Sequence, residues 1–172
     1  DSFLRYAHPS PVSDNVAVVD IDEASLSRLG QWPWPRYRLA RLLEKIQGAG
    51  AASVGLDMVF AEPDRTSLRS LSGEIRRDLG ANIALEGLPP EALDTDRTLA
   101  ETLAGGPFVL GFQFDFDAVR GESCILHPLR GAVRSDSKAE DTEGPFDAPG
   151  VVCNLPVLAR ASGNIWMSIA LG

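Results

Sequence analysis

Histidine, cysteine and cationic side chains are all scarce in this chain, and each shortage closes off a kind of chemistry. The two histidines, His8 and His127, lie far apart, each beside a proline. No serine or cysteine nucleophile motif stands near either, so a catalytic triad is not expected. Two cysteines, Cys124 and Cys153, match no zinc spacing, which needs closer pairs and usually four ligands. They suit one disulfide in an oxidising compartment, and they suit two small buried thiols equally well. Lysine and arginine number 16 against 24 aspartates and glutamates, a net charge of −8. A phosphate backbone would be repelled, so no nucleic acid is expected as a partner. Neither a G-x-G-x-x-G nor a Walker-type loop is present. No apolar run of roughly 18 residues or more exists, so no membrane span is expected. Asp1 is not followed by the charged, apolar and small-residue regions of a signal peptide. The chain therefore reads as an excised domain.

What is present suits one well-packed core: 172 residues, 44% of them hydrophobic. Residues 1–14 are mixed and Pro-rich, an expected surface entry segment. Asn15 to Ile21 is nearly all apolar, the pattern of a strand buried on both faces. Asp22 is placed to cap a short helix over Glu23–Leu29, which Gly30 stops. Trp32-Pro33-Trp34-Pro35 resists helix internally, and Pro35 suits a helix start. Leu39, Leu42, Leu43 and Ile46 then recur at spacings of three and four, predicting an amphipathic helix over Arg36–Gln47. Gly48 and Gly50 end it, and Ala51 to Phe60 predicts a second buried strand. Strand, helix and strand of these lengths make a crossover between parallel neighbours. Further along, Leu68–Leu79 suits a helix, and Arg65–Arg77 suits a mobile excursion equally well; another helix is predicted from Pro89-Pro90 to Gly105. A third strand is expected over Phe108–Phe114, and a short helix over Leu155–Ala161. Between Asp115 and Pro149 the composition is polar, with RSDSKAEDTEG predicted as a flexible loop.

Each predicted strand of the first crossover ends on a carboxylate, Asp20 and Asp57. In open α/β sheets ligands bind at those strand ends. Asp20-Ile21-Asp22 resembles the nucleophile loop of haloacid-dehalogenase-like phosphatases, where the first Asp attacks phosphorus and the second is the general acid. The expected Gly-Thr is replaced by Glu23-Ala24-Ser25, and no later basic or acidic motif completes the set. A metal-dependent phosphohydrolase using Asp20 and Asp22 is therefore only the alternative reading, alongside a non-binding dimerisation scaffold. No catalytic residue is assigned. No cofactor is expected, although Asp20 and Asp57 would suit one Mg²⁺ or Ca²⁺. The competing structural reading gives one of them to Arg36 as an ion-pair partner and the other to a helix cap. Trp32 and Trp34 are read mainly as lids over a core whose indole N–H groups find carbonyls. Arg36, at a helix start, is expected to meet a carboxylate of its own chain. The ligand patch predicted from these placements is Asp20, Asp22, Trp34, Arg36 and Asp57.

Several of these segments together resemble a known family. Val18-Val19-Asp20-Ile21-Asp22, Ser25, Leu29-Gly30, Trp32-Pro33-Trp34-Pro35-Arg36, Ala49-Gly50-Ala51 and Asp57-Met58-Val59-Phe60 are similar to the second type of CHASE domain. That name abbreviates cyclase/histidine-kinase-associated sensory extracellular. Glu62-Pro63-Asp64, Asp96-x-x-Leu99-Ala100 and Val109-Leu110-Gly111 continue the likeness, which spans most of residues 15–115. The W-P-W-P-R segment is its specific part.

The resemblance implies a non-enzymatic extracytoplasmic input domain of a bacterial transmembrane signalling receptor. Such a domain sits on the periplasmic or extracellular side of the inner membrane, between flanking transmembrane helices. The cytoplasmic output it implies is an adenylate or guanylate cyclase, a diguanylate cyclase, or a histidine or Ser/Thr kinase. A homodimer and an unidentified small ligand or stimulus are the expected partners. One departure stands out: after a segment like Leu155–Gly163 the family continues through an Asp-Gly-x-x-Arg motif and a Pro-Leu strand. Here Asn164-Ile165 passes straight to Trp166, so a segment is expected to be missing between Ile165 and Trp166. The fold class expected is α/β, a mixed sheet with a parallel centre, helices packed on it and one long polar insert. It forms a single domain over 1–172, with 15–115 as the core and 116–149 as the insert.

Overall fold

A computed structural model describes residues 15–116, 124–125, 149–162 and 164–168, the last five as backbone alone. The expected entry segment 1–14, His8, His127 and nearly all of the 116–149 insert, including its flexible loop, lie outside the described residues. The chain divides into two compact units, Asp1–Trp34 and Pro35–Gly172.

In the first unit, Asn15–Ile21 forms no strand. Val16, Val18 and Val19 are 74%, 89% and 58% exposed. An apolar run marks a buried strand only when a neighbouring strand supplies the ladder, and no ladder includes these residues. Helix α1 (Glu23–Leu29) forms as its sequence predicts. Asp22 accepts from Ser25 N at 2.8 Å and from Ser25 Oγ at 2.7 Å, and Gly30 ends the helix at φ 94°.

The second unit holds α2 (Arg36–Gly48), β1 (Val54–Leu56), α3 (Leu68–Leu79), α4 (Pro90–Leu93), α5 (Thr95–Ala104), β2 (Phe108–Asp115), β3 (Gly150–Val152), α6 (Pro156–Ala161) and β4 (Asn164–Ser168). The sheet is mixed. β2 runs parallel to β1 over Phe108–Leu110 and to β4 over Val109–Gln113, and antiparallel to β3 over Gln113–Asp115. Val109 pairs with both β1 and β4, and Gln113 with both β3 and β4. β4 therefore takes one edge of β2, while β1 and β3 follow one another along the other. β4 runs unbroken through Ile165 and Trp166. The architecture is α/β, with parallel pairing at the centre of the sheet.

The predicted strand Ala51–Phe60 is much shorter than expected, because its later residues leave the ladder. Phe60 N instead donates to Asn154 Oδ1 at 2.8 Å, and Leu155 N donates to Phe60 O at 2.7 Å. Asn154 Nδ2 donates to Gly111 O at 2.7 Å. Gly111 lies where β1 has ended and β3 has not begun. The buried Asn154 amide thus supplies the hydrogen bonds that a missing stretch of strand would have supplied.

The predicted helix from Pro90 to Gly105 divides at Asp94, which ends α4 and starts α5 by accepting from Arg97 N at 3.1 Å. Helices α2, α5 and α6 lie side by side, α5 in the middle. Their buried Leu39, Ala40, Leu43, Leu99, Ala100, Leu103, Leu158 and Ala159 form the core with Leu56, Phe60, Phe108 and Leu110 of the sheet side. Cys124 and Cys153 are joined in a disulfide with a Cα–Cα distance of 5.3 Å. Among the described residues no helix is long and apolar enough to cross a membrane.

Candidate functional site

Helix α2 begins without a cap of its own. Pro35 has no capping side chain, and the Arg36 N–H, at the first helical position, has no partner within its own helix. Asp64, from the loop after β1, supplies it: Oδ2 accepts from Arg36 N at 2.8 Å. The same oxygen accepts from the Thr95 hydroxyl, at the first position of α5, at 2.6 Å. Asp64 Oδ1 accepts from Thr66 N at 2.8 Å and Thr66 Oγ1 at 2.7 Å, a local turn of the kind aspartate favours. One residue later Ser67 caps α3, accepting from Ser70 N. A single carboxylate, 6% exposed, thereby gathers the starts of α2, α3 and α5.

A second carboxylate completes the arrangement. Asp96, in the first turn of α5, accepts from Asp64 N through Oδ2 at 2.9 Å. Its Oδ1 pairs with Arg36 Nε at 3.3 Å, the two side chains being 11% and 14% exposed. The Arg36 Nη2 donates to Glu62 O at 3.2 Å, and its guanidinium carbon lies 4.4 Å from the centre of the Phe60 ring. Among the described residues no buried side-chain nitrogen or oxygen lacks a hydrogen-bond partner.

The two carboxyls titrate in opposite directions. Burial pushes Asp64 up, but the donors Arg36 N, Thr95 and Thr66 together outweigh it and hold the group below its ordinary value. Burial also raises Asp96, and there it prevails: the Asp64 N–H and the Arg36 charge offset it only in part, and the Asp64 charge adds to the rise. Such a split between neighbouring carboxyls is a mark of acid–base sites. Here, however, both oxygens of both groups already accept donors from the chain itself. What the geometry does is tie three segments together. Beside this latch an open groove of ≈ 680 Å³ is lined by Pro63, Ser67, Asp96, Ala100, Leu155 and Val157, among others.

The predicted patch residues are placed as follows. Asp20 is exposed on a segment that is not a strand, so it does not stand at a strand end. Asp22 is exposed and caps α1; the Ser25 hydroxyl and N–H hold its carboxyl below the ordinary value. Trp34 is buried and donates through Nε1 to Gly30 O at 2.7 Å, while Trp32 is 42% exposed. Arg36 enters the latch. Asp57 is exposed directly after β1. Among the described residues no group of three or more His, Cys, Asp or Glu side chains is gathered as a metal site.

Asp64, Thr95, Asp96 and Asn154 were not among the candidates. Asp64 and Asp96 both lie in the motifs quoted above, but nothing in a linear sequence joins residues 32 positions apart. Arg36 does meet a carboxylate of its own chain, but its ion-pair partner is Asp96 and not Asp20 or Asp57, the two partners expected for it.

The family model of the CHASE2 domain matches residues 1–170 of the chain. No curated protein and no solved structure matches the chain. The match covers nearly the whole sequence, and the chain belongs to the CHASE2 family, whose members are extracellular sensory domains rather than catalytic ones.

Proposed function

We propose that this CHASE2 domain is the input module of a bacterial transmembrane receptor, held outside the inner membrane as a homodimer. It passes a stimulus to a cytoplasmic cyclase or kinase. The family match over residues 1–170 carries the reading. The latch supports it, since its charged groups are spent on joining segments and not on a reacting atom. A stimulus shifts such a domain only if it favours one of two arrangements over the other. The latch supplies a route, because displacing the Glu62–Ser67 segment moves the starts of α2, α3 and α5 together.

The test is a thermal-shift screen of the chain against divalent metals, nucleotides, small organic anions and redox reagents. Binding to the folded state at 100 times Kd adds about 2.7 kcal/mol, and the melting temperature rises. Hydrolysis of an aryl phosphate with Mg²⁺, lost in Asp20→Asn, would overturn the sensory reading in favour of a phosphohydrolase.

A further inference from the structure

Helix α3 has an apolar stripe that the described residues cover only in part: Leu68 and Ile75 are half-buried and α4 touches the helix, while Leu71 and Leu79 stay exposed. Leu68, Leu71, Ile75 and Leu79 recur at spacings of three, four and four, which places them on one side of a helix. No residue of α3 is buried, and Leu71 and Leu79 are 41% and 76% exposed. Ser72, small and on the same side, sits near the middle of the stripe. At about 3.6 residues per turn, Arg69 and Arg76 fall on one border of the stripe and Glu74 and Asp78 on the other. Among the described residues Arg69, Glu74 and Arg76 form no ion pair. Asp78 has only an exposed contact with Arg77 at 3.6 Å.

We propose that α3 pairs with α3 of a second copy of this chain, in parallel, around a two-fold axis running along the helices. The charge pattern selects this geometry. A two-fold axis along the helices brings the basic border of each copy against the acidic border of the other. Arg76 then lies within two residues, about 3 Å along the axis, of Glu74 and Asp78 of its partner. An antiparallel pair places basic against basic and acidic against acidic, which costs energy. A helix that lies on an anionic membrane has cations along its polar face, whereas one border here is acidic.

The inference rests on the two-copy, membrane-tethered part of the proposed function. Twelve residues span about 18 Å. One face of that length is short of the ~800 Å² per partner typical of a stable interface. Pairing is therefore weak in the free chain and is completed by tethering, which supplies effective concentrations of about millimolar.

The experiment is oxidative cross-linking of the chain, from micromolar to millimolar, with single cysteines on the helix. Leu79→Cys is expected to double the mass on a non-reducing gel. Arg77→Cys, on the back of the helix, is expected not to. Both sites are exposed, so neither change threatens folding. The native thiols are already joined in the disulfide, so the unaltered chain gives the background. Cross-linking of Leu68→Cys to Leu79→Cys in a mixture, with neither linking to itself, would overturn the parallel arrangement. Equal linking by Arg77→Cys, or none by Leu79→Cys at any concentration, would overturn the α3 interface. So would a monomeric Leu79→Cys chain that sediments with phosphatidylglycerol–phosphatidylcholine vesicles. Sedimentation of the unaltered chain at the same concentrations separates failure of this surface from failure of the two-copy reading.

Discussion

Asparagine in place of Asp64 is the most informative perturbation of the latch. The side chain keeps its shape, but one acceptor oxygen becomes an NH₂ donor. Asp64 receives two donors on each oxygen, at 2.6–2.8 Å. Whichever way the amide turns, one backbone N–H loses its acceptor and faces the NH₂, while the threonine hydroxyl beside it can turn to accept. A buried donor left unsatisfied costs about 1–3 kcal/mol, so Asp64→Asn should cost about that much. Most domains hold only about 5–15 kcal/mol in total. Urea unfolding at neutral pH should show the midpoint falling with the slope unchanged, as expected when stability alone is altered. Asp96→Asn should cost less, because its amide can keep its oxygen on Asp64 N and lose only the 3.3 Å contact with Arg36.

The cost also depends on pH. The folded value of Asp64 is depressed, so its contribution is present above the ordinary carboxylate range and is lost as pH falls through the folded value. Asp96 is raised, so its contribution is full at low pH and is lost as pH rises through its folded value. A protonated Asp64 carries a donor where asparagine carries NH₂. The gap between the wild-type chain and Asp64→Asn should therefore be widest near neutrality and close in acid. A loss below about 1 kcal/mol at neutral pH, or a gap that stays constant with pH, would refute the latch as drawn.

Three further outcomes are expected. Asn154→Ala strips partners from two backbone groups at once, Phe60 N and Gly111 O, and should cost about 2–5 kcal/mol by urea unfolding. Reducing the Cys124–Cys153 bond, which closes a separation of 29 residues, should lower stability by about 3–4 kcal/mol, read as a dithiothreitol-dependent shift of the midpoint. Gly106→Ala would drive a methyl into the buried Phe108 ring and to 2.9 Å from Gln47 Oε1. It should cost about 1–3 kcal/mol, with the melting temperature falling accordingly.

The limits of reading this fold from sequence follow from the range over which each structural cause acts. Helix α1 is legible to the residue, because its cap, glycine stop and apolar spacing all lie within one or two turns, whereas α3 is one of two readings its polar sequence allows. α5 shows the same rule in reverse. Asp94 is a helix cap in plain view, but the apolar residues on both sides suggested one long helix, and the cap was overlooked. Strands fail differently, because a strand is made by its neighbour. Asn15–Ile21 has the composition of a buried strand and no ladder, while Ala51–Phe60 keeps only three paired residues. The rest of that edge depends on Asn154, whose side chain bonds to backbone 43 and 94 residues away.

The latch combines both lessons. Its aspartates, Asp64 and Asp96, each look like an ordinary residue at the start of a helix. The donor that makes Asp64 exceptional is the N–H of Arg36, which as the first N–H of α2 has no partner within its own helix. That vacancy could be read from Pro35-Arg36 alone. A helix start with no local cap, on a chain rich in aspartate, calls for a carboxylate from elsewhere, and in this chain the need is met from 28 residues away.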